Sequence, residues 1–445
     1  MKTGIFISSI YFLFSIGIYA QPEEKKEPEK EKVKTGLTFG AVPAVAFDSD
    51  IGFKYGAVVN FYHFGDGSSY PNYKHGLFLE WSRTTKGSGI NELIYDSEFL
   101  IPKTRVTIEA SYLTEQTLDF YGFNGYNAFY DPSFADEDDI NYITRMYYRQ
   151  DRKMLRLRAD FLRNIIDEKL GFYFGFAHYG IDLGRVDFDK LNEGRDAENL
   201  IPDTTTLYDK YVDWGFFDGN DAAGGNTNLI KTGLVYDTRD IEANPMKGMW
   251  TTLQLIMAPP FLGNSEGSYL KMALNHRQYF TLIPKVCNFA YRISYQDKLT
   301  GDMPTYMMPF IFNSGPIKTR DGLGGAKTIR GILRNRVVGE DYLYGNFEVR
   351  YKIFRRVIFN QNVYVALNSF VDWGMVTGKY KFPETMNPEA IEYLANGDKE
   401  AIHGSYGAGV NFALNENFVV AVNYGLAMDK RDGNNGLYIG LNFLY

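Results

Sequence analysis

Few residues in this chain of 445 could do chemistry, and one arginine stands apart from them. Arg330 lies in the stretch Gly324-Gly325-Ala326-Lys327-Thr328-Ile329-Arg330-Gly331-Ile332, inside a Gly- and Pro-rich connection, 299–343, with no obvious partner beside it. A guanidinium offers a planar fork of donors that matches a carboxylate bidentately, a geometry lysine cannot copy. Asp372 and Glu348 are the acids that strand periodicity would bring towards it. Leaving one member of such a buried pair alone typically costs ~3–5 kcal/mol. The chemistry on offer is anchoring of a long connection rather than bond-breaking. On spacing alone, a solvated loop arginine and an ordinary wall aspartate is the plainer reading.

The other clusters are weaker. His403-Gly404-Ser405 places a base and a hydroxyl two positions apart, yet a rim hydrolase also needs an orienting group. The polar start of a strand explains these residues more simply. Acidic runs at Asp136 to Asp139, Asp218 to Asp221 and Asp429 to Asp432 would suit calcium, but none has the spacing of a defined calcium loop. Solvated loops account for them. His63, His75, His178 and His276 are scattered without metal-ligand spacing. We therefore expect no metal, no cofactor and no catalytic residue. In the turn 237–248, Asp237 and Asp240 flank Arg239, with Pro245 and Gly248 closing it. Either a salt-bridged cap or a Pro/Gly-punctuated turn in water fits.

Composition limits what can position these groups. The net charge of −7 gives no electrostatic footprint for nucleic acid. A single cysteine, Cys287, excludes an internal disulfide framework and a cysteine zinc site. Aromatic residues reach 16%, which suits a membrane barrel with aromatic girdles at both interfaces. Residues 1–20 read as a secretory signal: Lys2, an apolar run Ile5 to Ile18, then Ala20. Residues 21–34 form a Glu/Lys/Pro linker without core-forming residues. After residue 34 no apolar run reaches the ~18 residues of a membrane helix.

From 35 to 445 the apolar pattern has period two. Sixteen strands are expected, the second at 51–62, the sixth at 143–163, the twelfth at 344–355, the thirteenth at 362–376 and the last at 435–445. In the thirteenth, Val363, Val365, Leu367, Val371 and Trp373 share one face, while Asn368, Phe370, Asp372 and Gly374 share the other. Connections after even strands are mostly short, and every very long one (116–142, 183–227, 299–343, 377–402) follows an odd strand. Short turns on one side and long loops on the other mark an outer-membrane barrel. The fold class is all-β: a 16-stranded antiparallel transmembrane β-barrel with the 299–343 loop folded into its lumen. Asp372 and Glu348 then face that lumen. The last strand, Leu437 through Phe443 to Tyr445, should close the wall, with its terminal aromatics as an assembly signal.

Here the residues carry a resemblance. Gly324-Gly325 with Ile329-Arg330-Gly331-Ile332 resembles the loop-six motif of the BamA/TamA/FhaC superfamily of outer-membrane assembly and translocation barrels, also known as bacterial surface antigens. Phe370-Val371-Asp372-Trp373-Gly374 resembles that family's F-x-D-x-G strand, and Asp237 to Gly248 its D-x-R-D turn. The resemblance implies that Arg330 locks the loop against Asp372 or Glu348. It also implies a lateral seam between the first and last strands, where Gly36, Gly40, Gly436 and Gly440 would weaken pairing. Two departures are visible. Ile332 replaces an aromatic, and residues 21–34 are too few for the family's POTRA domains.

The implied function is non-enzymatic: a barrel-only member in the bacterial outer membrane that aids insertion or transport of protein or lipid. The alternative is a passive pore or structural barrel. The implied partners are outer-membrane lipid and a periplasmic or outer-membrane protein supplying POTRA-like function, with no nucleic acid.

Overall fold

The computed structural model describes residues 32–44, 46–48, 52–217, 221–264, 267–315, 319–359, 361–415, 418–441 and 443–445. The expected secretory segment, most of the charged linker and most of the acidic run at 218–221 lie outside the described residues.

Sixteen antiparallel strands form one sheet, each paired to its neighbour in sequence. The first half comprises β1 (Leu37–Pro43, continued by Ala46–Asp48), β2 (Gly52–His63), β3 (His75–Thr84), β4 (Gly89–Ile101), β5 (Thr104–Asp119), β6 (Arg149–Ile166), β7 (Leu170–Gly184) and β8 (Gly224–Asp237). The second half comprises β9 (Gly248–Ala258), β10 (Tyr269–Ile283), β11 (Cys287–Gly301), β12 (Asp341–Ile358), β13 (Gln361–Gly378), β14 (His403–Leu414), β15 (Phe418–Ala427) and β16 (Asn435–Leu441). The two pieces of β1 are one interrupted strand, because Leu37↔His63, Pro43↔Ala57, Ala46↔Lys54 and Asp48↔Gly52 keep a single register against β2. The ring of Phe418 on β15 packs against Gly40 of β1, so the first strand lies close to the last two.

The faces follow the pleat. On β6, Leu155 and Leu157 point out to lipid while Arg156, Arg158 and Asp160 are buried in the lumen. On β12 and β13, Phe347, Val349, Leu367 and Val371 point out, and Asn346, Glu348, Arg350, Asn368 and Asp372 point in. A charge turned to lipid at mid-membrane would cost about 2–4 kcal/mol, which holds this register. On the inner face of β5, β6 and β8 the charges neutralise one another. Glu109 binds Arg156 and Arg158, and Asp160 binds Arg158 at 2.8 Å and Lys231 at 2.5 Å.

Two expectations need correcting. The sixth strand begins at Arg149 rather than 143, because Tyr147 and Tyr148 turn into a cluster of rings above the barrel. There Phe120 and Phe123 from 120–148, Tyr211, Trp214 and Phe216 from 185–223, and Tyr380 and Tyr393 from 379–402 pack together. Tyr211 lies 5.1 Å from Phe120 and 5.0 Å from Phe216, and Trp214 lies 4.9 Å from Tyr393. Much of the aromatic excess thus builds a dome over one mouth of the barrel rather than membrane girdles. Two short helices carry it, α2 (Leu207–Asp213) with a Thr206/Asp209 capping box and α3 (Pro388–Ala395) capped by Asn387; α1 (Phe188–Asn192) precedes α2 in the same connection.

The second correction concerns the chain's end. Leu437 and Ile439 are 64% exposed, as expected of lipid-facing positions, but Phe443 and Tyr445 are only 9% and 6% exposed. The strand stops at Leu441, and the last residues lie in the lumen. Arg350 sits 4.3 Å from the Phe443 ring centre and donates to the Tyr445 carbonyl at 2.9 Å, while the Tyr445 hydroxyl donates to the Ala290 carbonyl at 3.1 Å. A buried guanidinium needs a π-face and an acceptor, and these residues supply both.

Candidate functional site

The site is the tip of the 302–340 connection, seated in the lumen. The connection folds on itself first. Leu323 and Val337 exchange backbone hydrogen bonds at 3.1 and 3.2 Å, Gly325 donates to the Ile332 carbonyl at 3.0 Å, and the Thr328 hydroxyl accepts from the Gly324 N–H at 2.9 Å. Gly324 has φ 108°, and a side chain there would strike the Leu333 carbonyl. Ile329 and Ile332 are buried with Ile311, Leu323, Val337, Tyr342, Tyr344 and Val376. Gly374 on β13 leaves room for this cluster, since a Cβ on it would stand 2.8 Å from Ile329.

Arg330 is brought against both acids at once. Its Nε and Nη2 donate to the two oxygens of Asp372 at 2.8 and 3.0 Å, and its backbone N–H adds a third bond to Asp372 at 3.0 Å. Its Nη1 donates to Glu348 at 2.9 Å and to Asn423 at 3.4 Å. The guanidinium centre lies 3.5 Å from the centroid of the Phe370 ring. Glu348 uses its second oxygen for Arg350 at 2.7 Å. Arg330, Asp372, Glu348, Arg350 and Phe370 are all buried away from bulk water, where charge-assisted bonds are strongest. The ring missing after Arg330-Gly331 is made good from the wall, by Phe370 beneath the arginine.

Next to the arginine, the loop touches the last two strands. Gly331 has φ 96° and lies on the backbone of Gly425 in β15. Its N–H donates to the Tyr438 hydroxyl of β16 at 2.9 Å. Sequence reasoning named neither Gly425 nor Tyr438. Both stand on the inward phase of their strands, opposite the exposed Tyr424, Leu437 and Ile439, so the alternation contained the signal.

The same connection is tied to the opposite wall. Arg334 donates to Glu115 at 2.5 Å and to Asp321 at 2.7 Å, and Arg320 to Glu92 at 2.6 Å. Arg336 reaches up to the dome, donating to the carbonyls of Gly125 at 3.0 Å and Arg431 at 2.8 Å. Apart from Asp321, which lies in the same connection, each partner lies on a distant strand or loop and does not follow from spacing.

The periplasmic turn is a separate cluster. Arg239 chelates Asp237 through Nε at 3.0 Å and Nη2 at 2.7 Å. Asp240 does not join this pair; it accepts backbone N–H groups of Ile241, Met246 and Lys247. The Pro245 carbonyl accepts from Asn288 at 2.9 Å, and Gly248, at φ 97°, lets the chain pass close to Thr238. Glu242 stands within the turn, in contact with Arg105 at 2.8 Å. Burial acts to raise its carboxyl, but Arg105 and Arg239 outweigh that and hold it at about 2.

The His403–Ser405 pair does not form a nucleophile and base. His403 gives Nδ1 to Asp432 at 2.6 Å and Nε2 to Glu400 at 3.3 Å, while the Ser405 hydroxyl has no partner among the described residues. The stacked Tyr126 ring, 3.9 Å away, makes this a junction of three loops. No group of three or more metal-ligating side chains occurs among the described residues.

Residues 86–443 match the Omp85 superfamily domain. Among solved structures the chain is similar to CdiB from Escherichia coli, at 10% identity and a TM-score of 0.54, over 92% of this chain and 62% of that one. It is also similar to BamA from Haemophilus ducreyi lacking POTRA domains 1–3, at 14% identity and a TM-score of 0.45, over 92% and 69% of the two chains. The chain thus spans roughly two thirds of these proteins, and at such identities the likeness is one of fold. No curated protein matches it in sequence.

Proposed function

Because the chain belongs to the Omp85 superfamily, a family of bacterial outer-membrane β-barrels, we propose that it aids the insertion or transport of protein or lipid at the outer membrane. The observation that carries this proposal is where the loop tip sits. Arg330 is fixed to β12 and β13, while the adjoining Gly331 is fixed to β15 and β16, beside the seam with β1. The lock therefore holds the wall next to the seam and fills the lumen at the same time. A client passes along the seam, in contact with the last and first strands, and the loop keeps the lumen shut. A periplasmic or outer-membrane partner delivers that client.

One feature of the seam supports this route. β16 pairs with β15 only from Leu441↔Val420 to Asn435↔Leu426, and beyond it the chain leaves the wall. The filled lumen beneath an aromatic dome argues against a passive pore.

The test is photo-crosslinking in living cells. A reactive residue at Phe39 or Ile439, both exposed at the seam, should capture a client protein or lipid, and one at Phe172, exposed on β7, should not. Equal labelling at all three positions, or none at the seam, removes the proposal.

A further inference from the structure

The lumen has a cavity on its periplasmic side that the lock does not use. It measures about 220 Å³ and lies between the 64–74 connection, the 238–247 turn, the tip of the 302–340 loop and the last residues of the chain. That is below the ~300–1,000 Å³ of pockets for drug-sized ligands, so its occupant would be the size of a headgroup. A second cavity, of about 290 Å³, shares Arg105, Arg239 and Glu242 with it and lies alongside.

The charges on its wall are unevenly paired. The carboxylates are Asp96, Glu98 and Glu242, and all three are engaged by the single guanidinium of Arg105, at 2.6, 3.7 and 2.8 Å. Arg239 is taken up by Asp237. Arg277, Arg292 and Lys327 remain, and among the described residues no carboxylate lies within ion-pair distance of any of them. Arg292 donates only to the Asn346 side chain at 2.8 Å and the Lys327 carbonyl at 3.2 Å. Lys327 reaches only the Leu441 carbonyl, at 3.5 Å. Arg277 lies 4.2 Å from the centroid of Trp250, and its buried Nε has no hydrogen-bond partner. Stacking fixes the plane of that guanidinium but satisfies none of its N–H groups.

Arg292 is buried, Arg277 half-buried and Lys327 open to the cavity. A guanidinium out of water without a carboxylate is costly, and cations grouped on one side of a space attract an anion into it. Three separate cations around one small space fit an ion with several oxygens. A carboxylate, with two oxygens, is matched by one guanidinium fork; a phosphate offers more acceptors and suits Arg and Lys together. We propose that this cavity binds a phosphate-bearing group, held by Arg277, Arg292 and Lys327. The position admits two sources. The cavity faces the periplasm, which offers soluble phosphate esters. It also borders Leu441 and Phe443 at the inner side of the seam, where a lipid headgroup would enter.

The experiment is titration calorimetry on the purified full chain in a nonionic detergent and a phosphate-free buffer, with three probes: dihexanoyl phosphatidic acid, inorganic phosphate and dihexanoylglycerol. The phosphatidic acid should bind, with affinity falling at high salt. The Arg277→Gln/Lys327→Gln variant should weaken it by at least about tenfold. Phosphate binding equally well, with the same loss, supports the site and assigns it to soluble esters; lipid alone binding supports it and assigns it to a headgroup. No binding of either phosphate probe, equal binding to the variant, or equal binding of the uncharged glycerol lipid overturns the proposal. Heat-modified gel migration reports folding. Should the double variant fail that control, Lys327→Gln alone, which loses one 3.5 Å bond, gives the same readout.

Discussion

Gly331 of the lumen loop and Gly425 of β15 meet backbone against backbone. A Cβ on Gly331 would stand 2.7 Å from the Gly425 carbonyl carbon, and one on Gly425 would stand 2.7 Å from the Gly331 nitrogen. Either Gly331→Ala or Gly425→Ala should therefore push the loop tip off the wall. Gly331→Ala should be the worse, because φ 96° is also strained for any L side chain. Overpacking of this kind costs about 1–3 kcal/mol. Limited trypsin digestion, cutting at Lys327 or Arg330 in the variants and not in the parent, checks it.

The arginine lock predicts unequal effects for similar substitutions. Arg330→Ala leaves the Asp372 carboxylate unpaired, and Glu348→Gln leaves Arg350 without its carboxylate, so each should lower stability by about 3–5 kcal/mol, read as a shift in urea unfolding in liposomes; Asp372→Asn leaves Arg330 its bond to Glu348 and should cost less. Arg330→Lys should not restore the parent value, since an ammonium cannot meet both Asp372 oxygens and Glu348 together. Arg330→Ala combined with Asp372→Asn should cost less than the sum of the two.

The dome and the loop close the barrel in series, which makes conductance a two-lock test. Tyr211 is fully buried among Phe120, Phe123, Phe216 and Tyr393, and its loss should cost about 3–5 kcal/mol of local packing. In planar bilayers the parent, Tyr211→Ala and Arg330→Ala should each conduct weakly. The double variant should conduct clearly more. High conductance in either single variant would mean that the other layer is no barrier.

Acid should weaken the periplasmic turn through Glu242. Its carboxyl is held at about 2 in the folded chain, against roughly 4.3 unfolded, so its contribution is complete above the unfolded value. It is lost as pH falls from about 5 towards 2. The side chain is 35% exposed to lumen water, which screens the effect, so a modest change is expected. Over that window, Glu242→Gln should show a flatter decline in melting temperature than the parent.

The wall was legible in the sequence because lipid on one side and charge on the other impose a strict period of two. Leu155 and Arg156, or Val371 and Asp372, could be assigned to opposite faces from alternation alone. The acids Asp372 and Glu348 were accessible to the same logic. What alternation cannot say is which inward residue an incoming loop will touch. Tyr438 and Gly425 were in phase, yet 107 residues separate Tyr438 from the Gly331 N–H it accepts. The inward course of Phe443 and Tyr445 was hidden for a different reason. Their spacing continues that of Leu437 and Ile439, and only the cations of the lumen, Arg350 above all, draw them from the wall. The dome was hidden because loop rings and girdle rings count alike in composition.

The seating of Gly331 on Gly425 also ties the contents of the vessel to its wall. The loop tip lies beneath a mouth covered by packed rings and rests on the last two strands. Any displacement of β15 or β16 is therefore also a displacement of the tip's support, so wall and contents have to rearrange together.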